Sequence, residues 1–309
     1  KQNKDSVKNL SVFVQQTGTE CDFSGSDSWV ILSPIEQSIK RKIEAVGTPL
    51  KDWDINIYRG VLTGYNEAFI ISTEKREEIL ANCQTEDERK RTAELIRPIL
   101  RGRDIKRYGY NWAGLYLIAT FPSRHYDIEQ YPAVKNYLLS FGIERLEQTG
   151  KVHNVNGEKI KARKKTNNKW FETQDSISYW EDFSKPKIIF QEIVQESQFF
   201  YDAEGTFMCN DTSRIIVGRD LPFLLGVFNS KLFFYAIKHF YGGGVLGEHG
   251  IRMKHTFFQN FPCIPYNSAI NKLTQERIQN ESAECENQVE KEIFNLYGLT
   301  PQEIRAIEE

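Results

Sequence analysis

The sequence has few of the residues that would place it outside a reducing compartment. Its five cysteines, Cys21, Cys83, Cys209, Cys263 and Cys285, are odd in number and form no Cys-x-x-Cys pair. Neither a disulfide framework nor a zinc site is expected, and a cytoplasmic location is. No apolar run is long enough to span a bilayer, and no signal-peptide pattern opens the chain. Histidine is sparse as well: His125, His153, His239, His249 and His255 show no metal-ligand spacing. An excess of one charge is also missing. With 40 Lys and Arg against 42 Asp and Glu the formal net charge is −2, so bulk charge gives no argument for a nucleic-acid partner. The first residue is Lys1, which suggests a segment of a longer chain.

The signatures of several reactions are absent too. An adenine methyltransferase grips its target with an Asn/Asp-Pro-Pro-aromatic loop, and this sequence has no Pro-Pro pair. No strand leads into a Gly-x-Gly turn that would seat a methyl donor. A common nuclease centre needs Pro-Asp followed by an acidic-x-Lys triplet. Asp104-Ile105-Lys106 fits the triplet, but no Pro-Asp exists. Gly242-Gly243-Gly244 is not followed by Gly-Lys-Ser/Thr, so it marks the end of a helix rather than a triphosphate cradle. No catalytic or metal-binding residue is expected.

What is present is a chain of 309 residues, 40% hydrophobic and rich in Phe (20) and Tyr (14), enough for a large core. Its charge is unevenly placed. From Lys151 to Lys169 there are seven Lys/Arg and one acid, and from Arg97 to Arg107 five and one, whereas Asn271 to Glu309 holds four basic and nine acidic residues. Two basic segments and an acidic tail predict an anion-facing surface and a separate solvent- or partner-facing end.

Punctuation and periodicity give the elements. Ser33-Pro34-Ile35-Glu36 opens a helix with a capping box, and Ile35, Ile39 and Ile43 form its buried face. Strands are predicted over Trp53–Ile57, Ala68–Ile71, Leu115–Phe121, Lys187–Phe190, Phe199–Tyr201 and Arg214–Val217. Helices are predicted from Glu86 to Ile96 behind a Thr85 capping box, from Tyr131-Pro132 to Phe141, and from Asp220 to Phe240. Residues 149–169 are expected to be a basic loop. The tail from Ala269 is expected to be helical with a near a/d rhythm, and Thr300-Pro301-Gln302-Glu303 to open a last helix. Short strands mixed with helices predict an α+β, mixed α/β fold. Its parts are a lead-in over 1–50, a core over 51–266 and a helical tail over 267–309.

The basic segments suit DNA. Arg97 to Tyr108 is a Pro/Gly-punctuated turn that presents guanidinium groups, whose planar fork matches a phosphate or a base edge. Alternatively, some of these arginines pair with Asp104 and hold the turn. Lys159 to Phe171 is a charge-dense segment ending in Trp170-Phe171, with amide side chains that suit base edges. His249 and His255 flank Arg252 and are candidates for polar contacts.

Several blocks occur in an order that resembles the TaqI-like C-terminal specificity domain. They are Gly60-Val61-Leu62-Thr63-Gly64-Tyr65-Asn66-Glu67-Ala68-Phe69, Ile99-Leu100-Arg101-Gly102-Arg103-Asp104-Ile105-Lys106-Arg107-Tyr108, Tyr131-Pro132-Ala133-Val134, Lys169-Trp170-Phe171-Glu172 and Lys185-Pro186-Lys187-Ile188-Ile189. Leu224 to Leu232 and Phe261 to Pro265 continue the resemblance. The resemblance implies the target-recognition part of a type IIG restriction–modification enzyme, lying C-terminal to an N6-adenine methyltransferase. Its partners would be double-stranded DNA and that methyltransferase domain, with S-adenosylmethionine bound in the latter and no membrane involved. We take Thr63, Asn66, Arg101, Arg103, Lys106, Arg107, Lys161, Arg163, Lys164, Lys165, Lys169, Trp170 and Arg252 as the candidate DNA contacts. The competing readings are an assembly module acting through the tail and a stand-alone nuclease.

Overall fold

The computed structural model describes residues 32–242, 245–246 and 250–309. The expected lead-in before residue 32, Gly243, Gly244, Cys21 and His249 lie outside them.

Helix α1 (Pro34–Val46) begins with the expected capping box: Ser33 N donates to Glu36 Oε2 at 2.6 Å and Glu36 N to Ser33 Oγ at 3.4 Å. Strand β1 (Ile55–Arg59) follows. The strand predicted over Ala68–Ile71 starts instead as a helical turn, Asn66–Phe69, and only Ile70–Ser72 (β2) is extended. The Thr63 hydroxyl is the local cause, since it accepts from Tyr65 N and donates to Asn66 Oδ1. Ser72 then caps α2 (Thr73–Ala81), a helix absent from the sequence reading because its buried side is only Ile79 and Leu80. Thr85 caps α3 (Glu86–Leu95), but the box is half made. Glu88 turns away and accepts from Gln84 N and Ala133 N, at 2.9 and 3.0 Å.

Strand β3 (Ile96–Leu100) stands where the sequence reading had the end of a helix and the start of a turn, whereas strand β4 (Leu115–Ile118) and helix α4 (Pro132–Leu139) occupy the predicted places. Within the segment 149–169 expected to be a loop, residues 152–161 form a hairpin, β5 (Val152–Val155) and β6 (Glu158–Lys161), while 162–169 are irregular as expected. Its turn is Asn156-Gly157, with φ of 53° and 87°, which is the dipeptide and backbone of a tight hairpin. Strands β7 (Lys187–Gln191), β8 (Phe199–Asp202), β9 (Met208–Cys209) and β10 (Ser213–Gly218) complete the sheets.

Strands β8, β7, β10 and β1 form an antiparallel sheet in that order, and β9, β3, β4 and β2 form a second, with β9 parallel to β3. The first sheet separates two hydrophobic cores. Ile188, Phe190, Phe199 and Ile216 point into one, and Ile189, Phe200, Ile215 and Val217 into the other. A sheet buried on both faces explains why these strands read as continuous apolar runs.

The long helix predicted from Asp220 to Phe240 is broken. Helix α5 (Leu221–Phe228) stops at Asn229, whose side-chain amide donates to Phe199 O and accepts from Phe199 N, extending the β8 edge. Ser230 then caps α6 (Lys231–Ala236), continued by a wide turn over Ile237–Tyr241. The tail is α7 (Ser268–Asn280), α8 (Ala283–Leu296) and α9 (Pro301–Glu308), the first two parted at Glu281, with φ 51°. Ile270, Val289 and Ile293 bury against the first core, and Tyr297 Oη donates to Pro262 O at 2.7 Å and accepts from Ile264 N at 3.0 Å. The apolar rhythm of the tail is thus used inside its own chain. Among the described residues no helix is long and apolar enough to cross a membrane.

Candidate nucleic-acid interface

Arg163 organises the basic hairpin from within. Its guanidinium is buried and donates to four main-chain carbonyls: Leu146 at 2.7 Å, Thr63 at 2.8 Å, Glu172 at 2.7 Å and Trp170 at 2.7 Å. It lies over the Phe69 ring. Burial lowers its pKa to about 10, with the charge of Glu172 acting the other way. Arg163 is therefore not a DNA contact but a tie between the hairpin and the Thr63–Asn66 turn. Gly64 completes the join: its φ is +77°, and a Cβ there would meet Gln174 Oε1 at 2.4 Å. Gln174 in turn donates to Lys164 O at 3.0 Å.

This tie sorts the other candidates. Lys161, Lys164, Lys165 and Lys169 are exposed, and no carboxylate among the described residues pairs with them within 4 Å. Asn66 is exposed beside them, while Thr63 is buried and supports the turn through its hydroxyl, which corrects its place among the contacts. Trp170 is half-buried, edge-on to Phe171.

The other basic segment is divided by its partners. Arg101 gives both Nε and Nη2 to Asp104, at 2.9 and 2.8 Å, and holds the turn, which was the alternative reading for these arginines. The Asp104 carboxyl, despite burial, is held below its usual range by these bonds, and both of its oxygens accept from Arg101. Arg107 is a correction. It reaches the tail, donating to Glu286 and to the Asn229 carbonyl, because the acidic α8 packs there. Lys106 Nζ donates to Arg103 O at 2.9 Å, and Arg103 itself is exposed.

The structure adds a cleft that no single stretch of the chain announces. It has a volume of about 680 Å³ and lies where β1 and β7 end and β10 begins. Arg59 and Arg214 are direct cross-strand partners on β1 and β10. Two like charges opposite each other are unfavourable unless compensated. Asp211 and Asp175 lie 3.4 and 3.9 Å from Arg59, and Glu192 takes Arg214 Nη2 at 2.5 Å. Glu192 also accepts from Arg252 Nε at 2.6 Å. Burial would raise the Glu192 carboxyl, but the bonds and charges of Arg252 and Arg214 outweigh it and hold it below the usual range. His255 lines the cleft, its pKa lowered by burial and by the charge of Arg214, which keeps it neutral near pH 7. Asp175 follows Gln174, so cleft and hairpin are joined, and Gly102 packs on Gln191 and Thr212 at the rim.

Residues 97–245 match the family model described as the TaqI-like C-terminal specificity domain. The match spans just under half of the chain. The matched residues take in the Arg101–Arg107 turn, the hairpin and all of the central sheet but β1. The Thr63–Asn66 turn and Arg252, which the fold brings beside them, flank the matched residues. The fold is similar to that in the structure of the type IIL restriction-modification enzyme MmeI in complex with DNA, with a TM-score of 0.56 and 12% identity over 84% of this chain and 35% of that one. It is also similar to the crystal structure of the type IIG restriction endonuclease BpuSI, with a TM-score of 0.50 and 12% identity over 85% of this chain and 32% of that one. The chain spans about a third of the length of either enzyme. Among the described residues no three His, Cys, Asp or Glu side chains are grouped as a metal ion would need.

Proposed function

We propose that this chain reads a duplex DNA sequence on behalf of a larger restriction–modification enzyme and does no chemistry itself. The observation that carries the reading is the set Lys161, Lys164, Lys165 and Lys169, exposed and without carboxylate partners among the described residues, at the end of a hairpin and on the segment after it, which a buried arginine fixes to the Thr63–Asn66 turn. Unpaired, exposed cations on a rigid support are what a phosphate backbone requires. The match of residues 97–245 to a specificity-domain family model and the fold likeness to MmeI, whose structure holds DNA, support the same reading. On this reading an adenine methyltransferase and its S-adenosylmethionine belong to the remainder of the parent chain, in the cytoplasm.

Selection from a random duplex pool, at low and moderate salt, tests the reading. Recovery of a short shared motif is expected. Neutralising about six phosphates gives a log–log salt slope of roughly −5, and Lys164→Ala with Lys165→Ala brings it nearer to −3. Absence of binding at low salt would refute the proposal.

A further inference from the structure

The geometry points to Arg252 as a base-reading residue: its terminal nitrogens, held in plane by Glu192, take the O6/N7 edge of a guanine and set one position of the target. This inference rests on the DNA-reading role proposed above and deepens it.

The case begins with the backbone. Arg252 lies on the short strand Gly250–Arg252, opposite Ile193, which places it beside Glu192. Glu192 is clamped on both sides: its N donates to Thr212 O at 3.0 Å, and its O accepts from Met253 N at 2.7 Å. Its carboxylate then takes Arg252 Nε at 2.6 Å and Arg214 Nη2 at 2.5 Å. Glu192 and Arg214 are each more than nine-tenths buried, whereas the Arg252 side chain is 51% exposed.

The attachment point is what matters. A guanidinium pinned through Nε keeps its Nη1–Nη2 edge open and its plane fixed. Among the described residues nothing accepts from those two nitrogens of Arg252. Three arginines described above differ. Arg101 and Arg107 spend their forks on Asp104 and on Glu286 with the Asn229 carbonyl, and Arg59 has both terminal nitrogens facing carboxylates. A phosphate is satisfied by a mobile cation, and the hairpin lysines already provide that. A base edge needs two coplanar donors at a set angle, and a buried carboxylate network that is costly to desolvate is suited to supplying it.

The test compares the unmodified chain with Arg252→Ala and Glu192→Gln in the random-pool selection and in salt titrations. Arg252 is exposed, so its truncation leaves the fold intact. The expected result is loss of a G·C preference at one position, roughly 10- to 100-fold, with the other positions and the salt slope unchanged. Glu192→Gln should weaken the same preference several-fold, since it frees the guanidinium without removing it. An unchanged motif for Arg252→Ala overturns the inference. So does a uniform loss of affinity with the slope reduced by about one, which marks a phosphate contact. If the unmodified chain selects no motif, the recognition reading falls and takes this inference with it.

Discussion

Arg163 and Lys161 lie two residues apart in the most basic stretch of the chain, and their replacement should have opposite consequences. Arg163→Ala removes donors from four carbonyls, those of Leu146, Thr63, Glu172 and Trp170. Hydrogen bonds from a charged donor contribute on the order of 1.5–3 kcal/mol each, offset by several kcal/mol for desolvating the guanidinium. Water entering the vacated space restores part of the loss, so a net destabilisation of about 3–5 kcal/mol is expected. Arg163→Lys keeps the charge but lacks the planar fork and should cost about half as much. Urea unfolding followed by tryptophan fluorescence measures both. Lys161→Ala, at an exposed side chain without an ion pair among the described residues, should stay within about 0.5 kcal/mol of the parent. It should instead reduce the DNA salt slope by about 0.9. The reasoning fails if Arg163→Ala unfolds within about 1 kcal/mol of the parent, or if Lys161→Ala is the more destabilising of the two.

Two further outcomes concern the tail. Glu290 is buried beneath α6, where burial raises its carboxyl from the usual 4.5 to about 7 against the pull of Arg107 and Lys231. A raised acid favours the folded state when protonated, so this contribution is fullest below about pH 4.5 and is lost as pH rises through 7. Glu290→Gln keeps the acceptor for Lys231 N and should gain roughly 1–3 kcal/mol at pH 8 relative to pH 4.5, measured by thermal unfolding at both values. Tyr297→Phe removes both hydrogen bonds to the Pro262–Ile264 segment and should cost about 1–3 kcal/mol in urea unfolding; a loss below about 0.5 kcal/mol would mean that the tail does not depend on this joint.

The sequence by itself determined the elements whose signal is local. Ser33 with Glu36 and Thr300 with Glu303 form their capping boxes because both partners lie within one helical turn. The strands at Lys187, Phe199 and Arg214 were legible as apolar runs, and the Asn156-Gly157 dipeptide carried a hairpin signal that the density of charge around it obscured. The uneven placement of charge was legible too, and the order of short blocks carried the resemblance that the family model matches over residues 97–245. Tertiary structure decided which charges are available. Lys161 and Arg163 have equal standing in the sequence, yet Lys161 ends the hairpin strand exposed, and beyond it the chain carries Arg163 inward against four carbonyls. Arg107 looks like its neighbour Arg103 until α8, far along the chain, supplies Glu286. The cleft of Arg59, Glu192, Arg214 and Arg252 joins strands scattered across the chain, and no window of sequence contains it. A capping preference is satisfied by neighbours in the chain, whereas the free energy of a buried charge depends on whichever distant groups the packed fold sets around it.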